Sequence, residues 1–247
     1  MAVSLLRANW PAPKQIHALT TTRLGGCSQA PYDEMNLALH VGDAPAAVEQ
    51  NRQALMQMLG ITQPIQWLEQ VHGTDLVKAA PCQPSPQADA CWSDTPGQVC
   101  AVMTADCLPV LFTDRQGSRV AAAHAGWRGL AAGMLEKTLS VFPDPNDVLV
   151  WMGPAIGPLA FEVGPEVYQA FCDEQPEAIL AFRTSPTDAH RWLADLYQLA
   201  RLRLSRAGVD QVYGGDYCTF TDQTHFYSYR RAAQTGRMAS LIWIAEN

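Results

Sequence analysis

The run Val99-Cys100-Ala101-Val102-Met103-Thr104-Ala105-Asp106-Cys107-Leu108-Pro109-Val110-Leu111-Phe112-Thr113 is mostly apolar, with breaks at Asp106 and Pro109. Val99–Thr104 and Val110–Thr113 read as short neighbouring strands, and Val120–Ala123 as a third. Gly129–Val141 is helical by pattern, with Leu130, Met134, Leu135 and Leu139 on one side and Pro143 as a stop.

Working outward, 15–21 reads as a strand ending at Gly25-Gly26, and 27–43 as loop. Pro45 and Gly60 bracket a helix over about 44–59 whose Val48, Leu55 and Leu59 share a face. Ile65–Val71, Asp75–Lys78, Val148–Met152, 210–214, 226–230 and 238–244 have strand character. Helices are expected near Pro165–Asp173 and over 191–207, the latter carrying Leu193, Leu196, Tyr197, Ala200 and Leu204. Strands interleaved with separated helices predict an α/β fold of mixed α+β type: one domain over 1–247, a mixed β-sheet flanked by helices. The Pro-rich segment 81–87 is the longest linker.

Composition narrows the function. Of 247 residues 48% are hydrophobic, which excludes a disordered chain. The formal net charge of −7 argues against a nucleic acid or an anionic membrane surface as partner, so an anionic substrate must be met by local arginines. Seven cysteines form no C-x-x-C pair, and the start of the chain does not look like a signal peptide, so a cytoplasmic, reducing setting is expected. No apolar stretch approaches the ~18 residues of a transmembrane helix.

Three segments place a metal-ligating side chain at a strand end: Gln70-Val71-His72-Gly73, Thr104-Ala105-Asp106-Cys107 and Ala123-His124-Ala125-Gly126. Two imidazoles and a thiolate suit Zn²⁺ and leave a fourth position for water or substrate. On residue type alone, Cys107 reads equally as a small core hydrophobe and the histidines as loop residues bonding backbone.

The longer strings decide between these. Thr104–Phe112 with Ala121-Ala122-Ala123-His124-Ala125-Gly126-Trp127-Arg128-Gly129 resembles the signature of the laccase-domain family, also called the multicopper polyphenol oxidase or peptidoglycan editing factor family. Thr20–Gly26, Asn36–Asp43, Gly153–Pro158, Phe161–Gly164, Cys218-Thr219, Phe226–Arg231 and Thr235–Arg237 are similar to its other motifs. The resemblance implies a fold related to the toxin deamidase domain of cytotoxic necrotizing factor, with zinc held by His72, Cys107 and His124. It implies phosphorolysis of adenosine, inosine and S-methyl-5'-thioadenosine to the base and a ribose 1-phosphate, and adenosine deamination. Older usage of the family name implies copper and phenol oxidation, and another a role in editing serine out of peptidoglycan precursors.

For deamination the candidate carboxylates are Asp106, beside Cys107, and then Asp75, although either suits a turn. For phosphate, the guanidinium fork favours Arg23 and Arg128 among the motif arginines, which include Arg230, Arg231 and Arg237. Asn36 is expected to bond a ribose hydroxyl or purine edge, or to cap its own loop. The copper reading meets a short supply of imidazole: of six histidines, His17, His40, His190 and His225 are left over and form no H-x-H pair. A lone blue-copper centre of His72, Cys107 and His124 with Met103 as weak axial ligand is a further option. Cys107 as nucleophile with His124 as base is a hydrolase reading, and a zinc-stabilised interaction domain is the reading without catalysis.

Overall fold

The computed structural model describes residues 3–80 and 85–246. Its centre is a six-stranded sheet in the spatial order β12(Gln211–Gly214), β8(Val148–Met152), β6(Leu108–Asp114), β7(Val120–Ala125), β4(Ala90–Ser93), β3(Leu76–Lys78). The two outer pairs run parallel and the inner ones antiparallel. Against one face lies an antiparallel sheet of order β1(Leu5–Arg7), β2(Ile16–Thr21), β13(Met238–Ile244), β5(Cys100–Thr104). A small third sheet joins β10(Phe182–Thr184), β11(Trp192–Ala194) and β9(Glu162–Val163).

The strand period of two explains the layering. On β6, Val110 and Phe112 enter the core beneath the helices α3(Met134–Leu139), α4(Pro165–Cys172) and α5(Leu196–Arg206), while Leu111 points into the core between the two sheets. On β5, Cys100 and Val102 face that inter-sheet core, and Ala101 and Met103 face the core beneath α1(Pro45–Leu59). Strands β5 to β8 are buried on both faces, which is why they read as continuous apolar runs rather than alternating ones. No helix among the described residues is long and apolar enough to cross a membrane.

Several sequence expectations need correction in detail. The mixed sheet is two stacked sheets and a small third one. The helix expected over Gly129–Val141 is two, α2(Trp127–Ala131) and α3, because Gly133 at φ 97° takes the left-handed conformation between them. The helix expected over 191–207 starts only at Leu196, since the Asp195 side chain accepts from the Gln198 amide at 3.0 Å and caps it, leaving 192–194 to β11. Ile65–Val71 makes only isolated bridges at Gln66 and Glu69, and 226–230 is not a strand but irregular chain leading into a turn at 229–230. Strand β4 was not expected at all. The part of the 81–87 linker at 81–84 lies outside the described residues.

Phe112 has no exposed surface and lies 6.4 Å, ring to ring, from Phe142 under α3. Phe112→Ala is expected to cost about 3–5 kcal/mol, as large-to-small core changes of this type do; urea unfolding of the variant measures it, and a loss below about 1 kcal/mol would contradict the packing described.

Candidate metal centre and cavity

The ends of two central strands and a loop meet at one end of the six-stranded sheet. Cys107 precedes β6, and His124 lies on β7 paired with Pro109, so sheet register sets them side by side. His72 comes from the loop before β3. Their ligand atoms all lie within 4.8 Å of one another, and the two imidazoles meet edge to face at 4.8 Å between centroids. His124 is buried, Cys107 half-buried and His72 exposed.

Two backbone distortions aim these groups. His72 sits at φ 60° and Asp106 at φ 95°, positions that cost a non-glycine residue about 1–3 kcal/mol and concentrate at functional sites. Gly126 supplies the room: a Cβ there would stand 2.8 Å from His72 Nδ1 and 3.1 Å from Cys107 Sγ. Gln70 braces the His72 loop against β5, its side chain donating to the Met103 carbonyl at 2.8 Å and accepting from the Met103 amide at 2.7 Å.

Asp89, just before β4, has no exposed surface. Its Oδ1 pairs with His124 Nδ1 at 2.7 Å and accepts from the His72 amide at 3.0 Å. Its Oδ2 accepts from the amides of Val71 at 3.1 Å and Gly73 at 2.7 Å. The bond from Asp89 to Nδ1 leaves His124 Nε2 as the nitrogen that faces Cys107 and His72. Two imidazoles and a thiolate, converging with a glycine-lined gap between them, fit a metal ion with an open position.

A cavity of about 390 Å³ opens on this group. Arg128, Arg230 and Arg237 line it, with the rings of Phe161 and Tyr229. Arg128 stacks on Trp127 at 4.4 Å, and its guanidinium makes no hydrogen bond to another described residue. Arg230 donates to the Glu162 carbonyl at 2.9 Å, and Arg237 to those of Thr235 and Gly236 at 2.9 and 3.0 Å.

The remaining sequence candidates stand elsewhere. Asp106 borders the cavity, yet its carboxylate accepts from Thr219 Oγ1 at 2.6 Å, Ser228 Oγ at 3.0 Å and the Arg230 amide at 2.6 Å. Arg23 is outside the cavity, donating to the carbonyls of Asp33 and Gln223 and stacking on Tyr227. Asn36 is fully buried and its amide closes its own loop: it donates to the Ala38 carbonyl and Asp43, and accepts from the amides of Ala38 and Arg237. Arg231 ties the carbonyls of Thr219, Phe220 and Phe226, and Asp75 is exposed away from the cavity. Met103 does line it. Sequence reading passed over Asp89, Gln70, Phe161 and Tyr229; the signal for Asp89 is a lone charge inside the apolar run Ala88–Trp92, which must be paired if the run is buried.

The fold and site together define a class: an α/β protein in which two histidines and a cysteine that could hold a metal ion stand beside an arginine-lined cavity. Residues 17–245 match the family model for the multi-copper polyphenol oxidoreductase laccase, and the chain belongs to that family. A purine nucleoside phosphorylase of Pseudomonas aeruginosa is 54% identical over 242 residues, covering 98% of each chain. The purine nucleoside phosphorylase YfiH of Escherichia coli is 54% identical over 242 residues, 97% of this chain and 98% of its own. Of solved structures, a Neisseria meningitidis protein superposes with a TM-score of 0.94 at 51% identity, covering 98% of this chain and 99% of its own. YlmD from Geobacillus stearothermophilus superposes with a TM-score of 0.93 at 32% identity, covering 100% of this chain and 98% of its own.

The metal-free site has a pH signature. Burial alone would lower the His124 pKa from its ordinary 6.5, but the charge of Cys107 and the bond to Asp89 outweigh it and push it up to about 9. Burial would raise Asp89, yet its bonds from His124, Gly73 and Val71 hold it below its ordinary 3.8. A raised histidine stabilises fully below its unfolded pKa and loses that as pH climbs through the folded value; a depressed carboxylate does the reverse. In chelated protein the pair therefore contributes most between pH 3.8 and 6.5, fading towards pH 9 and towards stronger acid. Urea midpoints across pH should show the alkaline decline in wild type and not in His124→Gln; identical profiles would refute it.

Proposed function

We propose that the chain is a zinc-dependent purine nucleoside phosphorylase working in this cavity. The reading takes adenosine, inosine and S-methyl-5'-thioadenosine to the free base and the ribose or methylthioribose 1-phosphate, with adenosine deamination as a second activity. One observation carries it: the His72–Cys107–His124 group and the uncommitted Arg128 guanidinium face a single cavity. Its volume, about 390 Å³, falls within the ~300–1,000 Å³ of small-molecule sites. The names of the relatives supply the substrate class.

A zinc ion held by His72, Cys107 and His124 would supply a Lewis acid with one position open to water or substrate. Arg128 presents its planar fork to phosphate, and the charge of Arg237 lies on the same cavity. In phosphorolysis a phosphate oxygen forms the bond to C1' as the bond from C1' to the purine nitrogen breaks, and the departing base takes up a proton. Phe161 and Tyr229 offer faces on which a purine ring stacks. In deamination water adds at C6 and ammonia leaves. Asp106, with both carboxylate oxygens engaged by three donors, is assigned to positioning Cys107 and Arg230 rather than to proton shuttling. A cytoplasmic setting and a single unit over 1–247 belong to the same reading.

Copper oxidation of phenols is the alternative the family name supplies. Against it, His17 is stacked on Trp243, His225 is paired with Asp222 and His190 is exposed, which leaves His40 alone at the cavity with the ligand pair. A second reading has its own support: Asp89, His124 and Cys107 stand in the order orienter, base and nucleophile. Alkylation of Cys107 that abolishes turnover in fully chelated protein would favour this hydrolase chemistry; turnover that survives alkylation removes it.

Purified protein given adenosine and phosphate is expected to yield adenine and ribose 1-phosphate, with close to one zinc per chain. His72→Ala, Cys107→Ala and His124→Ala should each abolish turnover while keeping the circular dichroism spectrum, and Arg128→Ala should raise the KM for phosphate at least tenfold. Unchanged turnover in all three ligand variants would overturn the site.

A further inference from the structure

We propose that Asp89 is the positioning residue of the metal centre, a single buried carboxylate that makes both histidines competent as ligands at once. This rests on the metal reading above. The geometry assigns each carboxylate oxygen a separate task. Oδ1 fixes the His124 ring through Nδ1 at 2.7 Å, and with it the direction in which Nε2 offers its lone pair. Oδ2 holds the Val71 and Gly73 amides, which flank His72 on either side, and Oδ1 holds the His72 amide itself. His72 keeps its left-handed backbone at φ 60° because these three amides converge on one charge. The clamp is anchored in the sheet as well: the His124 amide donates to the Asp89 carbonyl at 2.7 Å, and the Asp89 amide to the Asp75 carbonyl at 3.0 Å.

The isosteric amide exposes the dependence. All four groups facing Asp89 are N–H donors or a ring nitrogen that must donate. An asparagine keeps one acceptor oxygen and replaces the other with an NH₂. With NH₂ at the Oδ1 position, His124 Nδ1 must accept, its proton moves to Nε2, and the nitrogen facing the metal loses its lone pair. With NH₂ at the Oδ2 position, the amides of Val71 and Gly73 face a donor and the loop presenting His72 is released. Either orientation costs the centre one ligand, so loss of metal affinity follows from the swap of a single atom. Partners that orient metal-bound histidines commonly change affinity by about 10- to 100-fold when removed.

The test uses Co²⁺ as a spectroscopic probe, with thiolate-to-cobalt absorption reporting Cys107 and titration against a chelator reporting affinity. Asp89→Asn is expected to bind Co²⁺ about 10- to 100-fold more weakly than wild type with unchanged far-ultraviolet circular dichroism. Asp94→Asn, which removes a surface partner of Lys78, should bind like wild type. Hydrogen exchange on the metal-free proteins gives a second readout: the His72 and Gly73 amides should be protected in wild type and exchange faster in Asp89→Asn. Wild-type affinity in Asp89→Asn overturns the proposal. If wild type itself binds no Co²⁺, the metal reading fails instead, and unchanged protection of His72 and Gly73 in the variant would remove the clamp as well.

Discussion

A carboxylate without exposed surface must find its hydrogen bonds inside the protein or cost several kcal/mol, about what a small domain can least afford to lose. Asp89 finds them in three backbone amides and one imidazole. It can do so because β4 pairs with β7 in a register that sets Ala90 against Ala123, one step from His124. The need to satisfy this charge therefore shapes the 71–73 loop, the ring of His124 and, through both, the mouth of the cavity.

Asp106 is the counterpart on the other side. Its left-handed backbone at φ 95° turns Cys107 towards the histidines, and its carbonyl accepts from the Ile156 amide at 2.9 Å. Its carboxylate gathers Thr219, Ser228 and the Arg230 amide from a segment more than a hundred residues away in sequence. Two carboxylates thus bind strand ends, loop and C-terminal turns into one wall. Each oxygen of both carboxylates accepts at least one hydrogen bond.

The sheets were legible because β5, β6, β7 and β8 are buried on both faces and leave long apolar runs. Their stacking into two sheets was not, since pairing β13 with both β2 and β5 is a long-range choice that no local pattern encodes. Helix boundaries failed where one residue overrode the periodicity, Gly133 by its backbone and Asp195 by its cap. His72, Cys107 and His124 stood out by residue type and motif, and the structure brings them together. Arg23 and Asn36 sit in equally suggestive motifs but serve the N-terminal loop, because a motif records that a residue is needed without recording what it touches. Asp89 had no motif; the β4–β7 register brings it His124, and the folded 71–73 loop brings it three amides.

The same distinction separates the arginines. A guanidinium has five N–H donors, and one already bound to carbonyls is a strut whose charge still acts at a distance. Arg231 spends its donors on three carbonyls, and Arg23 on two with Tyr227 beneath it. Among the described residues Arg237 and Arg230 are each hydrogen-bonded through one nitrogen of the guanidinium, and both line the cavity. Arg128 is held, among the described residues, by its stack on Trp127, at the start of α2 and directly after Gly126, the residue whose missing side chain makes room for His72 and Cys107. Arg128 follows His124 by four residues, so one short segment carries both a candidate metal ligand and a guanidinium that lines the same cavity.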